Sequence, residues 1–320
     1  MKRNTQINWT SFRLSPIFAG QLAGMKYISF YILLPAFLSL SGCDIFDRPE
    51  PLPVFLSLPK AEIRLNSSGT IRSQLGIKDL WVDYGPGQVG VFRLPSVIPL
   101  IPQEGVDSVV VRGGIFESGL SLARSIYPFW RPIIVPLNTA PADTQIISPV
   151  FSYYPDTVIA FPFVEDFETA ALAFEDISFS SVSTSLTVTT EQAFMGTKAG
   201  KITFSPDRYE LDIIASDFIR LPQSGSNDIY MEITYKNDIS FTVGLFYSVG
   251  IDIGEIPAEV YFNSKGEWNT VFVHLNDGVR AVQDGAYFKP YIRANSKNAS
   301  TGVAASGVIY LDNIRIVHFR

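Results

Sequence analysis

From residue 56 onward, apolar and polar side chains alternate with period two, and Gly, Pro, Asn and Asp interrupt the alternation at short intervals. No stretch of useful length has helical periodicity. The pattern predicts strands at Ile77–Tyr84, Gln88–Leu94, Ser108–Arg112 and Pro132–Leu137 in the first part of the chain. Tyr84-Gly85-Pro86-Gly87-Gln88 reads as a tight turn that joins the first two into a hairpin. Further on, it predicts strands at Val182–Thr190, Gly200–Phe204, Glu210–Ala215, Ile229–Tyr235, Phe241–Val249, Ala258–Phe262, Trp268–Leu275, Ala286–Ala294 and Gly307–Val317. Phe, Tyr and β-branched residues are abundant, as pleated and half-buried surfaces prefer. The reading is all-β.

The strands fall into two groups. Residues 56–138 make a small β-sandwich module, in which Gly119-Leu120-Ser121 and Tyr127-Pro128-Phe129-Trp130 form an aromatic and proline corner that reads as a core plug. Residues 139–158 carry Pro, Ala and polar residues around a short apolar run, and read as a linker with one strand. Residues 159–320 hold closely spaced strands that suit a two-sheet sandwich.

Ahead of these groups the chain changes character. From Met25 it has one Lys (Lys26), an apolar run from Ile28 to Leu40, then small residues up to Cys43. That order is a secretory signal, and the run is short for a membrane-spanning helix, which needs about 20 residues. Leu40-Ser41-Gly42-Cys43 resembles the lipobox of bacterial lipoproteins. The resemblance implies that residues 1–42 are a signal peptide and that a covalent lipid on Cys43 becomes the new N-terminus. Residues 1–24 depart from the pattern, so translation is expected to begin at Met25; the alternative is a long leading region carrying Lys2, Arg3 and Arg13. Residues 43–55 are acidic and proline-rich and read as a lipidated tether. Acidic residues just behind such a Cys resemble an export signal to the outer leaflet in some Gram-negative lineages, whereas in others an Asp next to the Cys, as Asp44 is here, resembles an inner-membrane retention signal. Of the two, the expected location is the outer membrane, lipid-anchored and facing the cell surface, with a periplasm-facing anchor as the alternative.

Charge and cysteine use exclude two classes. Without residues 1–42, 21 basic residues face 31 acidic ones, a net charge of −10. With no basic cluster to offset it, nucleic acid is not an expected partner. Cys43 is the only Cys, so no disulfide staples the fold, and about 278 residues are long enough to fold without one.

Two further resemblances carry expectations. Residues 81–115, with Gly90, Pro95 and Gly105 at matching places, resemble carboxypeptidase-regulatory or PEGA-type sandwich modules. The second group contains, in order, FPFVEDFET (161–169), GTKAGKITF (196–204), IYMEITYKNDISFTVGLF (229–246), EWNTVFVHL (267–275) and GVIYLDNIRIV (307–317). This order resembles the galactose-binding-like jelly roll of many carbohydrate-binding modules, over about 160 residues. The resemblance implies a jelly-roll β-sandwich over 159–320. It also implies a candidate structural calcium at Asp166, Glu168 and Asp312, where the first and last strands meet. The competing role for these acids is capping turns through backbone N–H groups.

Sugar rings stack on flat aromatic faces. Tyr247, Tyr261, Tyr287 and Tyr291, with Tyr209, are the candidates, and Tyr287 and Tyr291 share a face because they lie four apart on a strand. Catalysis is not expected. Only His274 and His318 are present, and no zinc-protease, nucleophile-elbow or phosphate-loop motif occurs. Glu165, Asp166 and Glu168 are candidates in principle for a glycosidase pair, but with 31 acids in the chain a close group means little, which makes a hydrolase the outsider. The leading expectation is a non-catalytic surface lipoprotein acting as a scaffold subunit bound to another outer-membrane protein or complex. The alternative is a glycan-binding lipoprotein. A tyrosine patch flanked by Asn, Asp or Arg would favour sugar, and a broad apolar patch would favour a protein partner.

Overall fold

In the computed structural model, residues 50–64, 71–73, 76–138, 140–178, 180–225 and 228–320 are described. Cys43, the stretch read as a signal and most of the stretch read as a tether lie outside the described residues. The strands are β1 (Val54–Leu58), β2 (Glu62–Arg64), β3 (Ile71–Ser73), β4 (Asp79–Tyr84), β5 (Gly87–Arg93), β6 (Ser96–Leu100), β7 (Ser108–Phe116), β8 (Arg124–Ile126), β9 (Ile133–Pro136), β10 (Thr144–Ile146) and β11 (Val150–Ser152). They continue as β12 (Ile159–Glu165), β13 (Phe174–Asp176), β14 (Leu186–Thr189), β15 (Ala199–Phe204), β16 (Glu210–Ala215), β17 (Ile229–Asn237), β18 (Phe241–Val249), β19 (Asp252–Phe262), β20 (Lys265–His274), β21 (Tyr287–Asn295) and β22 (Gly307–Phe319). Among the described residues one short helix, α1 (Asn276–Ala281), interrupts them. The protein is all-β, as the alternation predicts.

The second half is a sandwich of two antiparallel sheets. One has the order β14-β15-β22-β17-β20, with β12 also on β22. The other has the order β13-β16-β21-β18-β19. Inward residues of both, among them Ile202, Phe204, Ile233, Phe241, Leu245, Phe288, Ile292, Leu311 and Ile316, form one buried core. In β22, Ile309 and Leu311 point inward, then Ile314 and Ile316 do. The parity changes at Asn313, which has φ 48°, where the pairing with β17 shifts register. This bulge keeps Arg315 out of the apolar core; unbroken alternation would have driven it in.

β17 is buried on both faces. Ile229, Met231 and Ile233 enter the sandwich core, while Tyr230 joins a second cluster with Phe272 and Val317. That cluster is completed by Leu80, Val82, Tyr127, Phe129, Trp130, Phe151 and Tyr153 from the first half of the chain. Leu52–Arg320 is thus one compact unit, with the first half covering the six-stranded sheet. The aromatic corner is a core plug between the halves. The Tyr127 ring lies 4.6 Å from those of Trp130 and Phe272 and 5.4 Å from that of Tyr230. Beside it, Glu232 is only 4 % exposed and accepts hydrogen bonds from the Tyr127 hydroxyl, from the Tyr153 hydroxyl at 3.0 Å and from Arg315 Nε at 2.7 Å. Burial first, then the Glu232 charge, raises the Tyr127 pKa well above its usual value, so that hydroxyl stays a donor.

The first half contains a sheet β5-β4-β7-β8, with β9 also on β7, and two small sheets, β10-β1-β6 and β11-β2-β3. The β4–β5 hairpin turns at Gly85, where φ is +61°. Residues 139–158 carry two strands, β10 parallel to β1 and β11 parallel to β2. β1 begins at Val54, inside the stretch read as tether, and β6 pairs with it despite carrying Pro99.

Candidate functional site

With the six-stranded sheet covered, the outward face of the five-stranded sheet is the surface on which the sandwich presents side chains. Register defines it. Across the strands run the rows Ile214–Tyr291–Gly244, Asp212–Arg293–Thr242, Lys289–Phe246–Glu255 and Tyr287–Ser248–Ile253. The alternate residues Ile213, Phe288, Ile292, Val243 and Leu245 fill the core. Tyr287, Lys289, Tyr291 and Arg293 therefore share one face, as period two requires.

Their roles differ. Tyr291 is 1 % exposed, and a Cβ on its cross-strand neighbour Gly244 would stand 2.5 Å from its hydroxyl oxygen. The ring lies flat across that glycine and forms a floor. Its hydroxyl donates to Glu255 at 2.8 Å, the Arg293 guanidinium sits 5.0 Å from its centroid, and Phe246 packs at 5.1 Å. Burial, then the bond to Glu255, raises the Tyr291 pKa. Arg293 bridges Glu255 at 3.0 Å and Asp212 at 3.2 Å. Burial works against that cation, but its bonds to Asp212 and Glu255 outweigh burial and hold its pKa above the usual value.

Tyr287 is 40 % exposed and Phe218 47 %. The Arg220 guanidinium lies 4.3 Å from the Tyr287 centroid and also donates to its hydroxyl. Lys289 Nζ sits 4.8 Å from the Phe218 centroid and is held by the Ser216 carbonyl at 2.8 Å and Glu175 at 3.3 Å. Two rings and two oriented cations thus stand together at one end of the face. Tyr261, 74 % exposed, stands apart on the edge strand β19 beside Thr242. Tyr247 has the opposite parity, paired with Phe288, and packs against the sandwich core. Lys289 and Arg293 were legible from the register of Tyr287. Phe218 and Arg220 lie between strands, where no periodicity announces them.

The acids at the sandwich ends hold backbone. Asp312 Oδ2 accepts N–H bonds from Phe194 at 2.8 Å and Met195 at 2.9 Å. Glu168 Oε1 accepts from the amides of Thr197 at 2.8 Å and Lys198 at 2.9 Å, and Asp166 accepts from the Glu168 amide at 3.1 Å. Glu165 is buried, with its oxygens on the Phe167 and Ala173 amides. A calcium ion takes six to eight oxygens. Both oxygens of Asp312, both of Glu168 and one of Asp166 are engaged by N–H or hydroxyl donors, and among the described residues no three His, Cys, Asp or Glu groups come together for a metal. In this arrangement the acids act as turn caps, and Asp312 and Glu168 clasp the 194–198 loop.

Burial pushes the Asp312 carboxyl up to about 7, against the bonds from Met195, Phe194 and Asn313 that pull it down. The unfolded chain releases this proton near pH ~3.9 and the folded chain near 7, so the Asp312 contribution to stability falls between those values and is level above them. Asp312→Asn is expected to remove that falling limb. Urea midpoints of both proteins across this range, with and without calcium, check it. An unchanged pH slope in the variant would mean that Asp312 is not the group titrating there, and a calcium-dependent rise in midpoint would give these acids a ligand role.

No family model and no curated protein matches the chain. Among solved structures, it is similar to the CBM22-1 xylan-binding domain from Paenibacillus barcinonensis Xyn10C (11 % identity, 50 % of this chain and 96 % of that chain, TM-score 0.33). It is also similar to the family 11 carbohydrate-binding module from Clostridium thermocellum in complex with a β-1,3-1,4-mixed-linked tetrasaccharide (10 % identity, 50 % and 95 %, TM-score 0.36). A third is the family 30 carbohydrate-binding module of a cellulosomal cellulase of Clostridium thermocellum (15 % identity, 49 % and 96 %, TM-score 0.33).

Proposed function

We propose that this chain is a non-catalytic glycan-binding lipoprotein, anchored to the outer membrane through lipid on Cys43 and presenting the face of its five-stranded sheet to polysaccharide. The observation that carries the reading is the composition of that face. Tyr287 and Phe218 are exposed rings, flanked by Arg220, Lys289 and the Arg293–Asp212–Glu255 set. Rings supply flat apolar surface, and planar charged groups supply hydroxyl partners, which is the division of labour a sugar requires. A scaffold subunit would instead offer a broad apolar patch. Here the rings are interleaved with charge, which favours glycan over a protein partner.

A glycan array probed with the full chain tests the proposal. Tyr287→Ala should weaken the best glycan by about tenfold or more, about 1.4 kcal/mol, because a stacking ring is removed while the fold stays intact. An array without hits, or hits insensitive to Tyr287→Ala and Phe218→Ala, would sink it.

A further inference from the structure

Where the Phe116–Ser121 turn of the first half meets the sandwich, a groove of about 390 Å³ opens. That size lies in the range of small-ligand pockets. One wall is Lys78 with the turn, which is fixed by the Ser118 amide donating to the Phe272 carbonyl at 2.7 Å. The opposite wall is the end of β19, with exposed Tyr261 and Asn263, and the floor is Asn269–Phe272 of β20 with Tyr235. Asn269 Nδ2 donates to the Tyr235 hydroxyl at 3.2 Å, which fixes that amide.

The charge of the groove sets it apart. The chain has 31 acidic residues against 25 basic ones, yet Lys78 and Lys265 line the groove and, among the described residues, no Asp or Glu does. Among the described residues neither lysine forms an ion pair; Lys78 Nζ reaches only Asn269 Oδ1, at 3.4 Å. Burial first, then repulsion from Lys265, lowers the Lys78 pKa, and Glu267 outside the groove opposes this. Lys78 is thus a part-buried cation that faces a second cation, Lys265, and Glu267 offsets this only in part, a cost that an anion would relieve.

We propose that this groove binds an anionic saccharide, its carboxylate or sulfate between Lys78 and Lys265, its ring against Tyr261 and its hydroxyls on Asn263 and Asn269. The site is separate from the Tyr287 end of the sheet face and does not depend on it. Isothermal titration of the full chain with an oligogalacturonate, a sulfated oligosaccharide and a neutral oligosaccharide tests it. At least one acidic ligand should bind more tightly than the neutral one. Lys265→Glu, a change at an exposed position, should weaken that binding by about tenfold or more, and Lys78→Met should do likewise. Raising salt from about 50 to about 300 mM should weaken it too, while Tyr287→Ala leaves it unchanged. The two acidic arms separate carboxylate from sulfate recognition. The proposal is overturned if neither acidic saccharide binds better than the neutral one, or if Lys265→Glu leaves the affinity within about twofold. Loss with Tyr287→Ala but not with Lys265→Glu would also overturn it, by moving acidic sugars to the sheet face.

Discussion

Glu232→Ala is expected to destabilise the protein by about 3–5 kcal/mol, because it leaves Arg315 without its buried partner. Glu232 accepts from Arg315 Nε at 2.7 Å and from the Tyr127 and Tyr153 hydroxyls, and Arg315 also donates to Tyr153 at 2.6 Å. The pair lies where the first half of the chain covers the six-stranded sheet, with the Glu232 side chain 5 % and the Arg315 side chain 19 % exposed, so water replaces the lost bonds only in part. For a domain stabilised by about 5–15 kcal/mol, that is a large fraction of the total. The double change Glu232→Leu with Arg315→Met should recover part of the loss, since it removes both charges but still leaves the Tyr127 and Tyr153 hydroxyls without Glu232. Urea denaturation of the three proteins provides the check. A Glu232→Ala loss below about 1 kcal/mol would mean that the junction is wet and the pair screened.

Tyr127→Ala should cost a similar amount, about 3–5 kcal/mol, through a different mechanism. Its ring is wholly buried against Phe129, Trp130, Tyr153, Tyr230 and Phe272, so truncation opens a cavity between the halves. Tyr127→Phe keeps the ring and loses only the hydroxyl bond to Glu232, an expected cost of about 1–3 kcal/mol. The Ala and Phe variants separate packing from hydrogen bonding. Because Tyr127 and Glu232 touch, their combined effect should be smaller than the sum of the two. Equal losses for Ala and Phe would show that the ring itself contributes little to the junction.

Strands could be read from the sequence because burial on one face imposes alternation that survives in the residues themselves. Glu210–Ala215 and Phe241–Val249 begin and end where the alternation does. The bulge in β22 is also written there, as Ile309 and Leu311 give way to Ile314 and Ile316. What local pattern does not carry is the packing of the halves. In β17 the sequence Ile-Tyr-Met-Glu-Ile-Thr reads as an inward row and a wet row, yet Tyr230 and Glu232 are buried. Their cover, Tyr127 and Tyr153, comes from distant positions that no window spans. The site was legible in the same partial way. Tyr287 and its face followed from period two, whereas burial of Tyr291 depends on Gly244 and Glu255 across the sheet. Phe218 and Arg220 reach Tyr287 from a connecting segment.

The most direct test of the glycan-binding face is hydroxyl-radical footprinting of the full chain, with and without the best glycan from the array. The account predicts that oxidation of Tyr287 and Phe218 falls when a neutral glycan binds, while oxidation at the Phe116–Ser121 turn is unchanged. A bound glycan that leaves Tyr287 and Phe218 fully reactive would contradict it.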